Sequence, residues 1–370
     1  MVENVSAAQG ARIPAGIHGP AGHILVKEVN WLGDLVISLP ALRAIRAGFP
    51  LAKLAVMVKR ELAGFFDGMA WVDEVIPYTI RRGWPGVRDR LHAIGKIRAG
   101  KFDLAVLFPN SFESALWATL AGVPRRAGFI ADGRGRMLTH GARPDAAAMS
   151  GHQSAWWLGM VRATLGIAPP PEPEVPRLEV ARAHEEKMRA WLAERRVTPE
   201  APLIALAPAA AYGPAKEWPA VRFTGLIETL HERFGAECVM VGAPGERGLC
   251  EKIAIASRPG AIVAAGETGI GELIALLSLC DGFIGNDSGA MHLSAALGIP
   301  AIGIFGSTNP DRTGPRGPRA GFVYHRVQCS PCLARTCRYG HYDCLRGVTV
   351  EEVAGALMAA GAFAGVAVKN

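Results

Sequence analysis

Eight residues, Gly285-Asn286-Asp287-Ser288-Gly289-Ala290-Met291-His292, crowd polar and glycine positions into a turn that leads directly into an apolar helical segment, Met291 to Leu297. The free amides and positive dipole end of such a helix suit a phosphate. An ordinary Asp/Ser cap is the simpler use of these residues. A cap does not require five polar or glycine positions in a row, so anion binding is expected around Asp287, Ser288 and Gly289. His292, one turn in, either packs or donates to a phosphate oxygen. In Asn30-Trp31-Leu32-Gly33-Asp34-Leu35, Gly33 permits a tight turn and Asp34 falls at a helix start. There it either caps amides or serves as a general base at a cleft floor. Lys216 sits in a Gly/Pro-rich loop, Ala207 to Pro219, where it is either one more solvated lysine or a point charge for a phosphate. Glu246, in Gly242-Ala-Pro-Gly-Glu246-Arg, could accept ribose hydroxyls or favour its own helix N-terminus. Thr268 is most simply a helix cap, with a ligand contact as its other reading.

These residues need elements that hold them, and the chain alternates strands and helices in two stretches. His23 to Lys27, Leu54 to Val58 and Leu104 to Phe108 read as strands in the first, with a helix from Leu35 to Ala47. In the second, strands are expected at Leu203 to Ala207, Glu237 to Val241, Gly282 to Gly285 and Ala301 to Phe305, and helices at Phe223 to Phe234 and Ile270 to Cys280. Short apolar strands alternating with helices imply parallel sheets covered on both faces. The expected fold is α/β, two doubly wound Rossmann-like domains facing a central cleft, with ligands beyond the carboxyl ends of the strands. Between them, Ile167 to Pro176 holds five prolines in ten residues, which neither a helix nor a central strand accepts. The expected division is a flexible extension at 1–22, a first domain at 23–166, a Pro-rich linker at 167–178, a second domain at 179–350, and a C-terminal helix and tail at 351–370.

The 370 residues carry 40 Lys+Arg against 33 Asp+Glu, a mildly basic balance that suits an anionic partner. From Arg81 to Arg136, eleven basic residues face four acidic ones, a surplus as large as the net charge of +7. This is either a solvated face or a surface for an anionic acceptor or an anionic membrane leaflet. Little aromatic interleaving accompanies it, so nucleic acid is not an expected partner. The first 22 residues lack the apolar run of a signal peptide, and Val353 to Val368 is too short and too rich in Ala and Gly to span a bilayer. A cytoplasmic location is expected, with peripheral attachment to the inner face of the inner membrane left open.

Absences narrow the chemistry further. No Gly-x-x-x-x-Gly-Lys-[Ser/Thr] occurs, against a P-loop NTPase, and no Gly-x-Gly-x-x-Gly follows the first strand, against a dinucleotide dehydrogenase. No Asp-x-Asp pair is present to hold a divalent ion against a nucleotide diphosphate, so lysine, histidine and helix amides would have to meet its charge. Neither a metal nor a cofactor is expected in the site. Cys329, Cys332, Cys337 and Cys344, with His341 nearby, are crowded like zinc ligands, but their spacing departs from paired Cys-x2-Cys. Reduced cysteines in a packed loop are the expected state.

Taken together, Asn30 to Asp34, Pro109-Asn-Ser-Phe112, Tyr212 to Pro219, Asn286 to His292 and Cys329 to Cys344 resemble glycosyltransferase family 9, the ADP-heptose:lipopolysaccharide heptosyltransferases. The last passage is most similar to type II members. The resemblance implies a GT-B fold and metal-independent, inverting transfer of L-glycero-D-manno-heptose from ADP-heptose to an anionic lipopolysaccharide core, heptosyl-Kdo2-lipid A. It implies Asp34 as general base and Lys216 as the cation stabilising departing ADP. Asp287, Ser288, Gly289 and His292 would hold the diphosphate and sugar, Glu246 the ribose, and Thr268 would lie beside the nucleotide. Asn110, Ser111 and Arg126 would serve the acceptor side. Alternatives are another heptosyltransferase type, a GT-B enzyme with another sugar nucleotide, or a non-catalytic nucleotide-sugar-binding protein.

Overall fold

A computed structural model describes residues 21–145, 150–168, 175–196 and 198–364. Most of the expected N-terminal extension, the central prolines of the expected linker and the last six residues lie outside these.

The first half runs β1 (His23–Lys27), α1 (Leu32–Gly48), β2 (Lys53–Lys59), β3 (Glu74–Tyr78), α2 (Trp84–Ala99), β4 (Leu104–Leu107), α3 (Phe112–Leu120), β5 (Arg125–Phe129), β6 (His140–Ala142) and α4 (Gln153–Leu165). The second runs α5 (Arg182–Ala193), β7 (Leu203–Ala207), α6 (Ala220–Phe234), β8 (Glu237–Met240), α7 (Arg247–Ala256), β9 (Ile262–Val263) and α8 (Ile270–Ser278). It continues through β10 (Gly282–Asn286), α9 (Gly289–Ala296), β11 (Ala301–Phe305), α10 (Pro310–Thr313), β12 (Ala320–Tyr324), α11 (Asp343–Arg346) and α12 (Val350–Ala359).

Each half builds one six-stranded sheet, ordered β3-β2-β1-β4-β5-β6 and β9-β8-β7-β10-β11-β12, with every pairing parallel. The same winding occurs twice. β7, β10 and β11 are buried along their whole length, as strands covered on both faces must be. The order reverses between β1 and β4 in one sheet and between β7 and β10 in the other. Loops leaving the carboxyl ends of these four strands therefore open the two crevices where ligands fit.

β1, β2, β4, β7, β8, β10 and β11 lie where the residue pattern puts them, and β3, β5, β6, β9 and β12 escape it. β3, β6, β9 and β12 are short or edge strands: β3 contains Pro77, which an edge tolerates, and β12 is only partly buried. β5 is interior, and its first two residues are arginines. The halves also share a core. One apolar cluster runs from Ile24, Leu39 and Ile45 to Leu203, Ile274, Met291 and Phe283. Arg43 pairs with Glu179 at 2.9 Å, and His184 contacts Asp67 at 2.8 Å.

At the front, the N-termini of α1 and α9 meet. A Cβ on Gly289 would stand 2.8 Å from Leu32 Cβ, and one on Gly33 would stand 2.9 Å from His292 Cδ2. Gly33 is therefore not the tight-turn residue expected from sequence: it lies inside the first turn of α1 and leaves room for a histidine of the other lobe. Gly289→Ala is expected to destabilise the protein by about 1–3 kcal/mol through overpacking. That cost should shrink in a Leu32→Ala background, as a thermal-denaturation double-mutant cycle would measure; additive costs would place the strain elsewhere.

Candidate active site

Asp34 is held in the first turn of α1, behind Trp31 at the N-cap, which makes no side-chain cap bond. It lines a cavity of about 260 Å³ with Val29, Asn30, Asn110, Gln153 and Trp156. Burial raises its carboxyl to about 6; a hydrogen bond from Gln153 Nε2 at 3.4 Å and the charge of Lys216 pull it down, and Asp287 pushes it up. A carboxylate near neutrality with a hydrogen-bonding cavity beside it suits proton abstraction from a hydroxyl. Gln153 came from no motif; it reaches Asp34 because α4 packs along α1.

Across the junction, Lys216 and Asp287 form an ion pair at 2.5 Å, with the carboxylate 5% and the lysine side chain 14% exposed. Thr308 Oγ1 donates to the same carboxylate oxygen at 2.6 Å. Asp287 is therefore the counter-ion of Lys216, a contact that its own turn does not announce. The Lys216 loop is tied down behind. Trp218 N donates to Asn286 Oδ1 at 3.0 Å, and Asn286 Nδ2 donates to Pro208 O at 2.6 Å. The Trp218 indole donates to Val348 O at 3.1 Å.

Ser288 occupies the N-cap of α9, yet its hydroxyl makes no cap bond and is buried with no partner among the described residues. The Ser307 hydroxyl, beyond β11, is left in the same condition. Buried hydroxyls without partners are rare and call for an explanation; a bound oxyanion supplies one for Ser288. His292 is buried, and burial lowers its pKa to about 4. It stays neutral, so it can offer at most one N–H to an anion.

The remaining expected residues divide. Asn110 lines the Asp34 cavity, and its Oδ1 accepts from Arg134 Nη2 at 3.2 Å. Ser111 caps α3, accepting from Ser114 N at 3.3 Å. Arg126 is not brought to the site: its guanidinium donates to the carbonyls of Val123, Pro124 and Met137, tying β5 to neighbouring loops. Arg134 instead organises the loop that follows β4, fully buried and donating to Pro109 O, Ser114 Oγ and Phe129 O. Nothing in its sequence neighbourhood distinguishes it from other arginines of that basic segment. Glu246 and Thr268 stand on adjacent loops joined by Gly266 N to Gly242 O at 2.9 Å. Glu246 closes onto Ala243 N at 2.7 Å. Thr268 is not a cap; Gly269 holds that position, with Glu272 accepting from its N–H at 2.8 Å.

The cysteine-rich segment presses on the Lys216 loop. Ala215 N donates to Arg335 O at 3.0 Å, Tyr212 Oη donates to Leu333 O at 2.6 Å, and Leu333 N donates to Ser307 O at 2.7 Å. Arg335 and Lys216 both lie against the Tyr212 ring, 5.1 and 4.8 Å from its centroid. All seven cysteines are free thiols, and no group of three or more His, Cys, Asp or Glu among the described residues is set to hold a metal.

Residues 90–343 match glycosyltransferase family 9 (heptosyltransferase). The chain is 30% identical to lipopolysaccharide heptosyltransferase 2 of Salmonella typhimurium, over 89% of this chain and 96% of that one. The solved structure of Escherichia coli ADP-heptose lps heptosyltransferase II superposes with a TM-score of 0.78 at 25% identity, covering 91% of this chain and 98% of that one. A family 9 glycosyl transferase from Veillonella parvula shares the fold with a TM-score of 0.79 at 21% identity, covering 92% and 97%.

A base at position 34 must be ionised, so its raised pKa predicts that kcat/KM falls as pH drops through about 6. Gln153→Leu removes a bond that holds the pKa down, and the acid limb should move to higher pH. A wild-type limb in the ordinary carboxylate range, near 4, would remove Asp34 from this role.

Proposed function

The chain belongs to glycosyltransferase family 9, and from that premise we propose that it moves the heptosyl group of ADP-heptose to the heptosyl-Kdo2-lipid A inner core during lipopolysaccharide synthesis. One observation carries the reading: the two N-termini that meet at the lobe junction bring the Asp34 carboxyl of one sheet into the electrostatic reach of Lys216 and Asp287 of the other.

In the proposed step Asp34 takes the proton of an acceptor hydroxyl, and the oxygen attacks the anomeric carbon from the face opposite the diphosphate. The bond between that carbon and the phosphate oxygen breaks, with inversion, through an oxocarbenium-like state. Negative charge grows on departing ADP. Lys216, the amides at the start of α9, the Ser288 hydroxyl and one N–H of His292 would receive it, and fixed groups of this kind stabilise most where water is excluded. Glu246 and Thr268 would reach the ribose and nucleotide from the neighbouring loops, and Asn110 would meet the acceptor. Ser111, committed to α3, would serve the acceptor through backbone position alone.

Mass spectrometry of the lipid product tests this. Wild type should add one heptosyl unit from ADP-heptose. Asp34→Asn should lower kcat by about 10²–10⁴-fold with donor binding retained, and Lys216→Met by about 10²–10³-fold. A wild type that binds ADP-heptose and transfers nothing would make the protein a binder.

We also propose that the first lobe rests on the anionic leaflet bearing this acceptor. No helix among the described residues is long and apolar enough to cross a membrane, so attachment would be peripheral. Support comes from α2, which leaves the same carboxyl edge as the Asp34 loop. Trp84, Val87 and Leu91, spaced as one helical face, are all exposed, Trp84 by 86%. Arg82 and Arg88 flank them, exposed and outside any ion pair among the described residues. Such a face suits interfacial binding. Trp84→Ala with Leu91→Ala should weaken cosedimentation with phosphatidylglycerol vesicles, whereas equal binding to neutral and anionic vesicles by wild type would count against the proposal.

A further inference from the structure

Lys27 ends β1 and Glu28 follows it inside the first lobe, 5% and 1% exposed, and the chemistry above uses neither. Lys27 has no carboxylate partner among the described residues. Its Nζ donates to Glu28 O at 2.9 Å and to Tyr78 Oη at 2.8 Å. Tyr78 has one hydroxyl proton, and with Lys27 donating to its oxygen that proton goes to Asn30 Oδ1, 2.7 Å away. The chain has a direction. Burial keeps the Tyr78 phenol well above its ordinary pKa, so it remains a donor.

The consequence falls on Asn30, an exposed residue that lines the Asp34 cavity. An unconstrained carboxamide can present oxygen or nitrogen by flipping. Here the oxygen is taken from behind, which leaves the amide N–H groups for the cavity. A fixed donor beside the base complements a hydroxyl oxygen, and neighbouring hydroxyls are what a sugar offers.

We propose that Asn30 is an acceptor-binding residue whose amide N–H donates to a hydroxyl of the acceptor sugar, and that Tyr78 and Lys27 are positioning residues that fix this amide. The inference rests on the glycosyl-transfer reading and extends it to how the acceptor is oriented over Asp34. Its chemical class of ligand is the polyhydroxylated, non-lipid end of the acceptor.

The test measures acceptor recognition both with and without turnover. Asn30→Ala should raise the acceptor KM about 3- to 10-fold, the value of one hydrogen bond, and leave the ADP-heptose KM unchanged. Calorimetric binding of the delipidated core oligosaccharide should weaken by the same factor. Asn30→Asp, which replaces the donor with an oxygen, should behave like Asn30→Ala. Tyr78→Phe should raise the acceptor KM in the wild-type background and add nothing to Asn30→Ala, because it acts only through that amide. If Tyr78→Phe fails to fold, the exposed Asn30 variants still decide the matter. Unchanged oligosaccharide binding in both Asn30 variants would overturn the proposal, as would a rise in donor KM. Additive effects of the two sites would overturn the positioning role. Wild-type binding without transfer would strike the underlying reaction and leave this inference to be judged by binding.

Discussion

Two helix N-termini from different sheets touch at Gly33, His292, Leu32 and Gly289, with less than one methyl group of spare room at each glycine. Everything at the site depends on that approach. It sets Asp34 over the junction, brings Lys216 and Asp287 into its field, and buries the groups enough that charge interactions are weakly screened. Each sheet alone would offer a crevice at a topological switch point. Only their apposition puts a buried carboxyl in one crevice opposite a cation and a helix N-terminus in the other.

The electrostatic arrangement is asymmetric in a useful way. The first lobe holds a carboxyl whose burial raises it to about 6. The second holds a lysine already matched by a buried carboxylate, itself secured by Thr308. Removing either partner would leave the other buried and unpaired, which costs far more than the pair contributes. The pair is thus a means of positioning the ammonium, and in the proposed reaction uncharged donors such as the Ser288 hydroxyl and the α9 amides would supply much of the remaining anion affinity. The cysteine-rich segment adds a mechanical part by bonding to Ala215, Tyr212 and Ser307.

The basic segment shows how charge counts mislead when read without partners. Arg134 is entirely buried and Arg126 is consumed by carbonyls, while Arg81 and Arg90 pair with Asp89 and Glu113. What remains for an external anion is a smaller set around the exposed face of α2. Lys27, outside that segment, is buried too, and its hydrogen bonds run inward to a phenol and then to the cavity.

Sequence by itself determined the strand and helix rhythm, the two-sheet architecture and the loops that carry Asp34, Lys216 and Asp287 to Gly289, because local periodicity and turn chemistry act over short stretches of chain. It could not reveal what a loop residue faces. Asp287 reads as a ligand contact, and nothing in its own turn shows that Lys216, 71 positions earlier, lies against it. Gly33 reads as a turn until His292 fills the space beside it. Gln153, Arg134, Ser307 and Tyr78 carry no local mark, since each takes its part from an element packed against it and not from its sequence neighbours. Edge strands such as β3, with Pro77, were hidden for the complementary reason: they are half-covered, and their pattern is correspondingly weak. Tertiary packing alone decided which polar groups are paired, which are left open toward a ligand, and how far burial moves a carboxyl toward neutrality.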